Sequence, residues 1–185
     1  AFLVVIQLGA ILAVCWHQRL TICNAVKELP HKKWDSFATK IAAAFIPTAC
    51  IGLMFHDLVK TYLFSPISVS CALILGGIII IWVEHKNKTP VVIEPTDITV
   101  TQAIKIGFFQ ALAIFPGVSR SGATIIGGLT IGLSRKTATL FSFLLAIPTM
   151  FAATIFDLMQ TPELLTASAL PALSLGFCVA FITAL

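Results

Sequence analysis

The chain has 185 residues, 58% of them hydrophobic and only 11% charged, with a formal net charge of +4 and a mean hydropathy of +0.99. Those values exclude an ordinary soluble domain and describe an integral membrane protein, long enough for roughly six or seven spans of about 20 residues. A single polytopic all-α domain is expected over residues 1–185, with no room for a soluble domain and no nucleic-acid partner.

Apolar runs cover residues 1–16, 37–55, 67–83, 100–115, 123–133, 137–156 and 169–185, and each is a predicted helix. At about 1.5 Å per residue most reach about 24 to 30 Å, but the fifth reaches only about 17 Å and cannot span alone. Trp16, Trp34 and Trp82 fall near the ends of runs, where indoles favour the interface. Cys15, Cys50, Cys71 and Cys178 sit in apolar stretches and Cys23 in a polar loop, without metal-type spacing, so inert thiols are expected. Pro47 and Pro148 read as helix kinks, and Gly52, Gly76, Gly77, Gly127, Gly128 and Gly132 as sites of close helix packing. Gln7 and Gln110 are single polar groups in apolar helices, expected as interhelical glue, with Gln110 also near enough to residues 116–122 to support them from behind. Lys105 is expected to snorkel, and His56 and Asp57 to end a helix at the outer face.

Loop charges orient the runs. Arg19, Lys27, Lys32, Lys33 and Lys40 surround the first connection, and Lys86 and Lys88 lie in the third, so both should be cytoplasmic. The second connection offers only Lys60, and the last, from Asp157 to Ser168 with Glu163, has no Lys or Arg; both should face outward. The runs 100–115 and 123–133 are flanked by Lys86, Lys88 and Lys105 on one side and by Arg135 and Lys136 on the other, all basic. The pair is therefore expected to be a re-entrant hairpin whose tip, 116–122, lies at membrane depth or near the outer face, against a cavity.

That tip carries the densest chemistry of the chain: Phe115-Pro116-Gly117-Val118-Ser119-Arg120-Ser121-Gly122-Ala123-Thr124. An arginine in hydrocarbon costs about 2.5 to 3.5 kcal/mol on insertion scales, so it reads as functional. Pro116 cannot continue a helix, and Gly117 permits the turn that follows. Ser119 and Ser121 are good N-caps for the next helix, whose first amides and positive dipole end suit an anion. Arg120 adds a planar fork, Ser119, Ser121 and Thr124 add hydroxyls, and Gly122 permits close backbone approach, so a phosphate is the expected ligand. The bland reading is a helix break whose Arg snorkels and whose serines only cap. A P-loop is excluded because no Gly-Lys-Ser/Thr ending is present. A phosphohistidine nucleophile downstream is excluded because His17, His31, His56 and His85 all lie upstream.

At Pro116 to Thr124 the sequence resembles the bacitracin-resistance type undecaprenyl-diphosphate phosphatases, whose signature Pro-Gly-x-Ser-Arg-Ser-Gly-x-Thr is matched without a departure. The resemblance extends through Gln110, Phe141-Ser142-Phe143-Leu144-Leu145-Ala146-Ile147-Pro148, Phe55-His56-Asp57 and Ile6-Gln7-Leu8-Gly9. Leu140 stands where family members often carry Glu, a departure that slightly weakens any role for that position and leaves the phosphate loop untouched. The resemblance implies hydrolysis of undecaprenyl diphosphate to the monophosphate carrier lipid and inorganic phosphate, with bacitracin resistance as a consequence. It also implies a multi-pass protein of the bacterial inner membrane, its site facing the periplasm or exterior. An inverted-repeat fold is implied as well, with a first hairpin carrying carboxylates and a Ser-His pair.

Ala1 opens inside an apolar run without a basic leader, and Leu185 closes inside another, so the chain reads as an internal stretch lacking that first hairpin and the C-terminal end. Alone it is expected to be inactive. The resemblance allows a divalent cation, Mg or Ca, with ligands outside this chain, and a homodimer. Arg120 and Ser119 are the expected catalytic residues, Arg120 neutralising the phosphoryl group and Ser119 in a binding role rather than as nucleophile, since no base adjoins it. Gly117, Ser119, Arg120, Ser121, Gly122 and Thr124 are the expected phosphate-binding set. The rival functions are a transporter or flippase for a phosphorylated lipid or anion, since transporters also aim broken helices at anions, and a noncatalytic scaffold.

Overall fold

The computed structural model of the chain describes residues 2–28, 35–86, 89–160 and 170–185 and, within these, the side chains of all but 2–5, 57, 60, 61 and 170. The helices are α1 (Phe2–His17), α2 (Arg19–Glu28), α3 (Phe37–Tyr62), α4 (Pro66–His85), α5 (Val100–Ala111), α6 (Arg120–Thr130), α7 (Arg135–Gln160) and α8 (Leu170–Ala184), with short 3-10 turns at Pro95–Asp97 and Leu112–Ile114. Among the described residues extended pairing is limited to one isolated bridge, Val92 to Leu133, so the all-α expectation holds. Within α3, α4 and α7 lie stretches long and apolar enough to cross a membrane. The protein is a helical membrane protein. Of the residues weighed above, Lys32, Lys33, Trp34, Lys88, Glu163 and the expected helix start at 169 lie outside the described residues, as do the side chains of Asp57 and Lys60.

Helix bounds depart from the expected ones wherever polarity was taken as a break. Residues 19–28, expected as loop, form α2, because Arg19, Leu20, Ala25, Lys27 and Glu28 are good helix formers and no Gly or Pro interrupts them. Cys23 therefore lies on a helix. For the same reason α3 continues to Tyr62, so Phe55, His56 and Asp57 lie inside it rather than in a loop. Caps decide the other ends. Ser36 accepts from the Thr39 amide at the start of α3, and Ser65 from the Ser68 amide at the start of α4. Thr99 and Gln102 form a reciprocal capping box on α5.

The chain packs as two compact units, Ala1–Lys27 with Ala146–Leu185, and Glu28–Leu145. In the first, α1 lies against α8 so closely that a Cβ on Gly9 would sit 2.3 Å from the Phe177 carbonyl oxygen. Ile11, Ala146 and Met150 form its buried cluster, with Cys15 and Ile147 packed against them. At the end of α1 the Arg19 guanidinium covers the Trp16 ring at 4.9 Å.

The second unit holds the loop and is built around α3 against α5. Gly107 is the point of closest approach: a Cβ there would lie 2.1 Å from the Ala44 carbonyl oxygen. Beside it Thr48 donates to the Gly107 carbonyl at 2.9 Å and accepts from Gln110 Nε2 at 3.2 Å. Lys40, 1% exposed, donates to the Thr96 carbonyl at 2.8 Å and pairs with Asp35 at 3.0 Å. That makes Lys40 a structural cation rather than a free loop charge, and it ties the start of α3 to the segment preceding α5. The same segment is bonded to the turn after α6. Val91 and Val92 donate to the Gly132 carbonyl, and Ser134 returns a bond to Val92. Thr137 Oγ1 also donates to the Ile93 carbonyl. The two ends of the stretch from α5 to α6 are thereby fastened together, so α5 and α6 form a hairpin.

The expected glycine contacts divide. Gly127 packs on the Phe109 ring and Gly128 on Ala138, but Gly52, Gly76 and Gly77 have nothing within 4 Å of a built Cβ. Gly132, at φ 96°, serves the turn that ends α6. Gly9 and Gly107, which the sequence does not single out, make the close contacts instead.

Candidate functional site

The loop forms because a helix cannot pass Pro116. Without an amide there, the last turn of α5 tightens into the 3-10 turn at Leu112–Ile114, closed by the Phe115 amide on the Leu112 carbonyl at 3.2 Å. The Val118 amide then bonds the Phe115 carbonyl at 3.1 Å around Gly117, whose φ is 94°. Gly117 is required twice over. Its backbone lies in the left-handed region, and a Cβ would fall 2.5 Å from the Val69 carbonyl oxygen of α4.

Ser119 caps α6, accepting from the Gly122 amide at 3.1 Å, so the helix starts at Arg120 rather than at 123. Ser121, expected as an alternative cap, lies inside the first turn with its hydroxyl 3.3 Å from that of Ser119. Helical geometry leaves the amides of Arg120 and Ser121 without an intrahelical acceptor, at the positive end of the dipole. Ser119 and Ser121 are exposed and Arg120 is half-buried. Among the described residues no carboxylate pairs with Arg120. A half-buried arginine in the same turn as two amides without intrahelical acceptors and two exposed hydroxyls supplies the groups that an anion site needs.

Its position along α4 follows from two contacts. That helix is about 30 Å long, with Val69 about 5 Å and Ile80 about 21 Å from its first residue. Gly117 packs on Val69 and Ala72, and a Cβ on Gly122 would lie 3.7 Å from Ile80 Cδ1. The loop and the start of α6 therefore run alongside the interior of a helix apolar enough to cross a membrane, not past its end.

Two of the expected residues have other commitments. Thr124 is 1% exposed, and its hydroxyl lies 3.0 Å from the Arg120 carbonyl, 3.1 Å from the Ser121 carbonyl and 2.5 Å from Ser142 Oγ. It is turned into the packing between α6 and α7, away from the exposed side of the loop where Ser119 and Ser121 stand. Gln110, also 1% exposed, donates to Thr48 and so joins α5 to α3. Gly122 stays against the Ser119 side chain, where a Cβ would come within 3.1 Å. Ser142 and Thr48 carried no assignment from the sequence. Each is one of several hydroxyls in its apolar run, Thr39 with Thr48 and Thr137, Thr139, Thr149 and Thr154 with Ser142, so the sequence did not single it out.

The fold and the loop define a class: helical membrane proteins in which a broken helix presents its positive end, an arginine and hydroxyls beside a helix apolar enough to cross a membrane. Within that class the chain belongs to the family of the bacitracin resistance protein BacA, whose model matches residues 1–185. It is 50% identical over 187 residues to undecaprenyl-diphosphatase 3 of Acinetobacter baylyi, covering 100% of this chain and 70% of that protein. It is also 46% identical over 184 residues to the undecaprenyl-diphosphatase of Laribacter hongkongensis, covering 99% of this chain and 67% of that one. The undecaprenyl-diphosphatase of Ectopseudomonas mendocina is 48% identical over 186 residues, covering 100% of this chain and 67% of its own length.

Proposed function

We propose that the chain carries the phosphate-holding half of an undecaprenyl-diphosphatase. The reaction is hydrolysis of undecaprenyl diphosphate to undecaprenyl phosphate and inorganic phosphate, which recycles the carrier lipid and confers bacitracin resistance. One observation carries this reading: among the described residues Arg120 is half-buried with no carboxylate partner, in the same helical turn as the uncapped amides of Arg120 and Ser121 and the hydroxyls of Ser119 and Ser121. Names of relatives at 46% to 50% identity supply the substrate class. Phosphoryl transfer needs placement and charge neutralisation more than covalent chemistry from the protein, and such a turn supplies both. In this reading the Arg120 guanidinium and the two amides hold the terminal phosphoryl oxygens, while water attacks phosphorus and the lipid monophosphate leaves. The loop's position beside the interior of α4 supports a re-entrant site in the bacterial inner membrane, opening to the periplasm or exterior.

Ser119 in this reading binds and caps. Its hydroxyl bonds go to the Gly122 amide and to Ser121, neither of which is a base. Among the described residues no three His, Cys, Asp or Glu come together to hold a metal ion, and no step above runs through one.

Full-length protein bearing Arg120→Ala, assayed for phosphate release from the diphosphate lipid, should lose on the order of a hundredfold to a thousandfold in turnover, as when a preorganised charge-stabilising donor is removed. Turnover near wild type in folded protein would sink the assignment. Transport of the intact diphosphate lipid without phosphate release would favour the flippase instead.

A further inference from the structure

We infer that Ser142 on α7 is a positioning residue for the anion-binding turn, acting through Thr124; the inference rests on the phosphatase reading of that turn. Ser142 Oγ lies 2.5 Å from Thr124 Oγ1, with the two residues 5% and 1% exposed. Thr124 Oγ1 lies in turn 3.0 Å from the Arg120 carbonyl and 3.1 Å from that of Ser121. A threonine hydroxyl has a single proton. Shared between the two carbonyls, that proton leaves the Thr124 oxygen to accept from Ser142, and all three contacts are satisfied. The reverse order, with Thr124 donating to Ser142, leaves both carbonyls without the side-chain bond. The bonded chain therefore runs from Ser142 to Thr124 to the carbonyls of Arg120 and Ser121.

Those are the two residues whose amides lack an intrahelical acceptor. Ser142 thereby fastens the first turn of α6 to α7, a helix of 26 residues. The loop approaching the turn is held by glycine packing and a cap, neither of which fixes the tilt of the first turn. A hydrogen bond in a dry interior does, because losing one partner leaves the other unsatisfied. Small misalignment of donors is costly to a site that works by placement. The same pair read only as helix–helix glue would affect stability and leave phosphate affinity alone.

The distinguishing experiment uses purified full-length protein in detergent and reads KM for the diphosphate lipid, the inhibition constant of inorganic phosphate, and the melting temperature. Ser142→Ala and the nearly isosteric Ser142→Cys should raise KM and the phosphate inhibition constant together by about tenfold, with the melting temperature shifted by only a few degrees. Ser142→Thr, which keeps the hydroxyl, should hold both constants within about threefold of wild type, and Ser142→Ala combined with Thr124→Val should be no worse than the worse single change. Unaltered phosphate inhibition in the Ala and Cys variants, losses that merely follow melting temperature, or additive effects would each overturn the inference. Arg120→Ala run in parallel separates the two levels. If it retains turnover, the phosphatase reading fails; if it loses turnover while the Ser142 variants keep wild-type constants, only the role of Ser142 fails.

Discussion

Helix α4 and the hairpin of α5 and α6 lie side by side and are built on opposite rules. Helix α4 is the most apolar of the membrane-crossing helices, and none of its residues is buried within the chain. The shorter α5 and α6 bury Ala103, Ile106, Gly107, Gln110, Thr124, Ile126, Gly127 and Gly128. In a membrane protein, uniform apolarity marks a lipid-facing helix, because lipid tails solvate Leu and Ile as well as another helix does. On α5 and α6 glycines and hydroxyls make the close approaches and hydrogen bonds that hold helices together, whereas Gly76 and Gly77 on α4 meet open space. The most apolar of the three spanning-length helices is thus the least informative about function, and the short hairpin helices carry the candidate site.

Substitutions at matched positions sharpen the contrast. Gly107→Leu should be the most damaging, since its first carbon already falls 2.1 Å from the Ala44 carbonyl oxygen. A loss of about 3 kcal/mol or more, or failure to fold, is expected in a detergent unfolding titration, the upper range for overpacking. A mild effect would mean that α3 and α5 are less tightly paired than described. At the loop, Ser119→Ala should cost about 1 kcal/mol of cap together with some activity. Ser119→Asn keeps the cap and should retain most turnover, whereas Ser119→Asp keeps the cap but sets a negative charge beside the phosphate and should lose it. Abolished turnover in Ser119→Asn would instead make Ser119 the nucleophile. The smallest effect belongs to α4, where Gly76→Leu meets open space and should change stability by less than about 0.5 kcal/mol. A large loss there would reveal a partner on that face.

Much of the candidate site is legible in the sequence. Pro116, Gly117 and Ser119 dictate a break, a turn and a cap through local chemistry, and the structure has all three at those residues. Legibility stopped where a side chain's role depended on a distant neighbour. Thr124 carries the same hydroxyl as Ser121, three positions apart, yet the helix turns one toward Ser142 and leaves the other exposed. Polar residues were over-read as loops at 19–28 and 56–62, because polarity does not break a helix when Gly and Pro are absent.

Composition, proline and glycine placement and the capping serines determined by themselves that this is a helical membrane protein with a broken helix and an arginine at the break, since each acts through its own backbone or its own solvation. Only the tertiary structure decided which glycines are close contacts, that Lys40 is buried against Asp35 and Thr96, and that Thr124 answers to Ser142. Those outcomes depend on which helix face meets which neighbour, and a one-dimensional pattern of apolar residues in lipid leaves that choice open, because every face of such a helix is equally soluble.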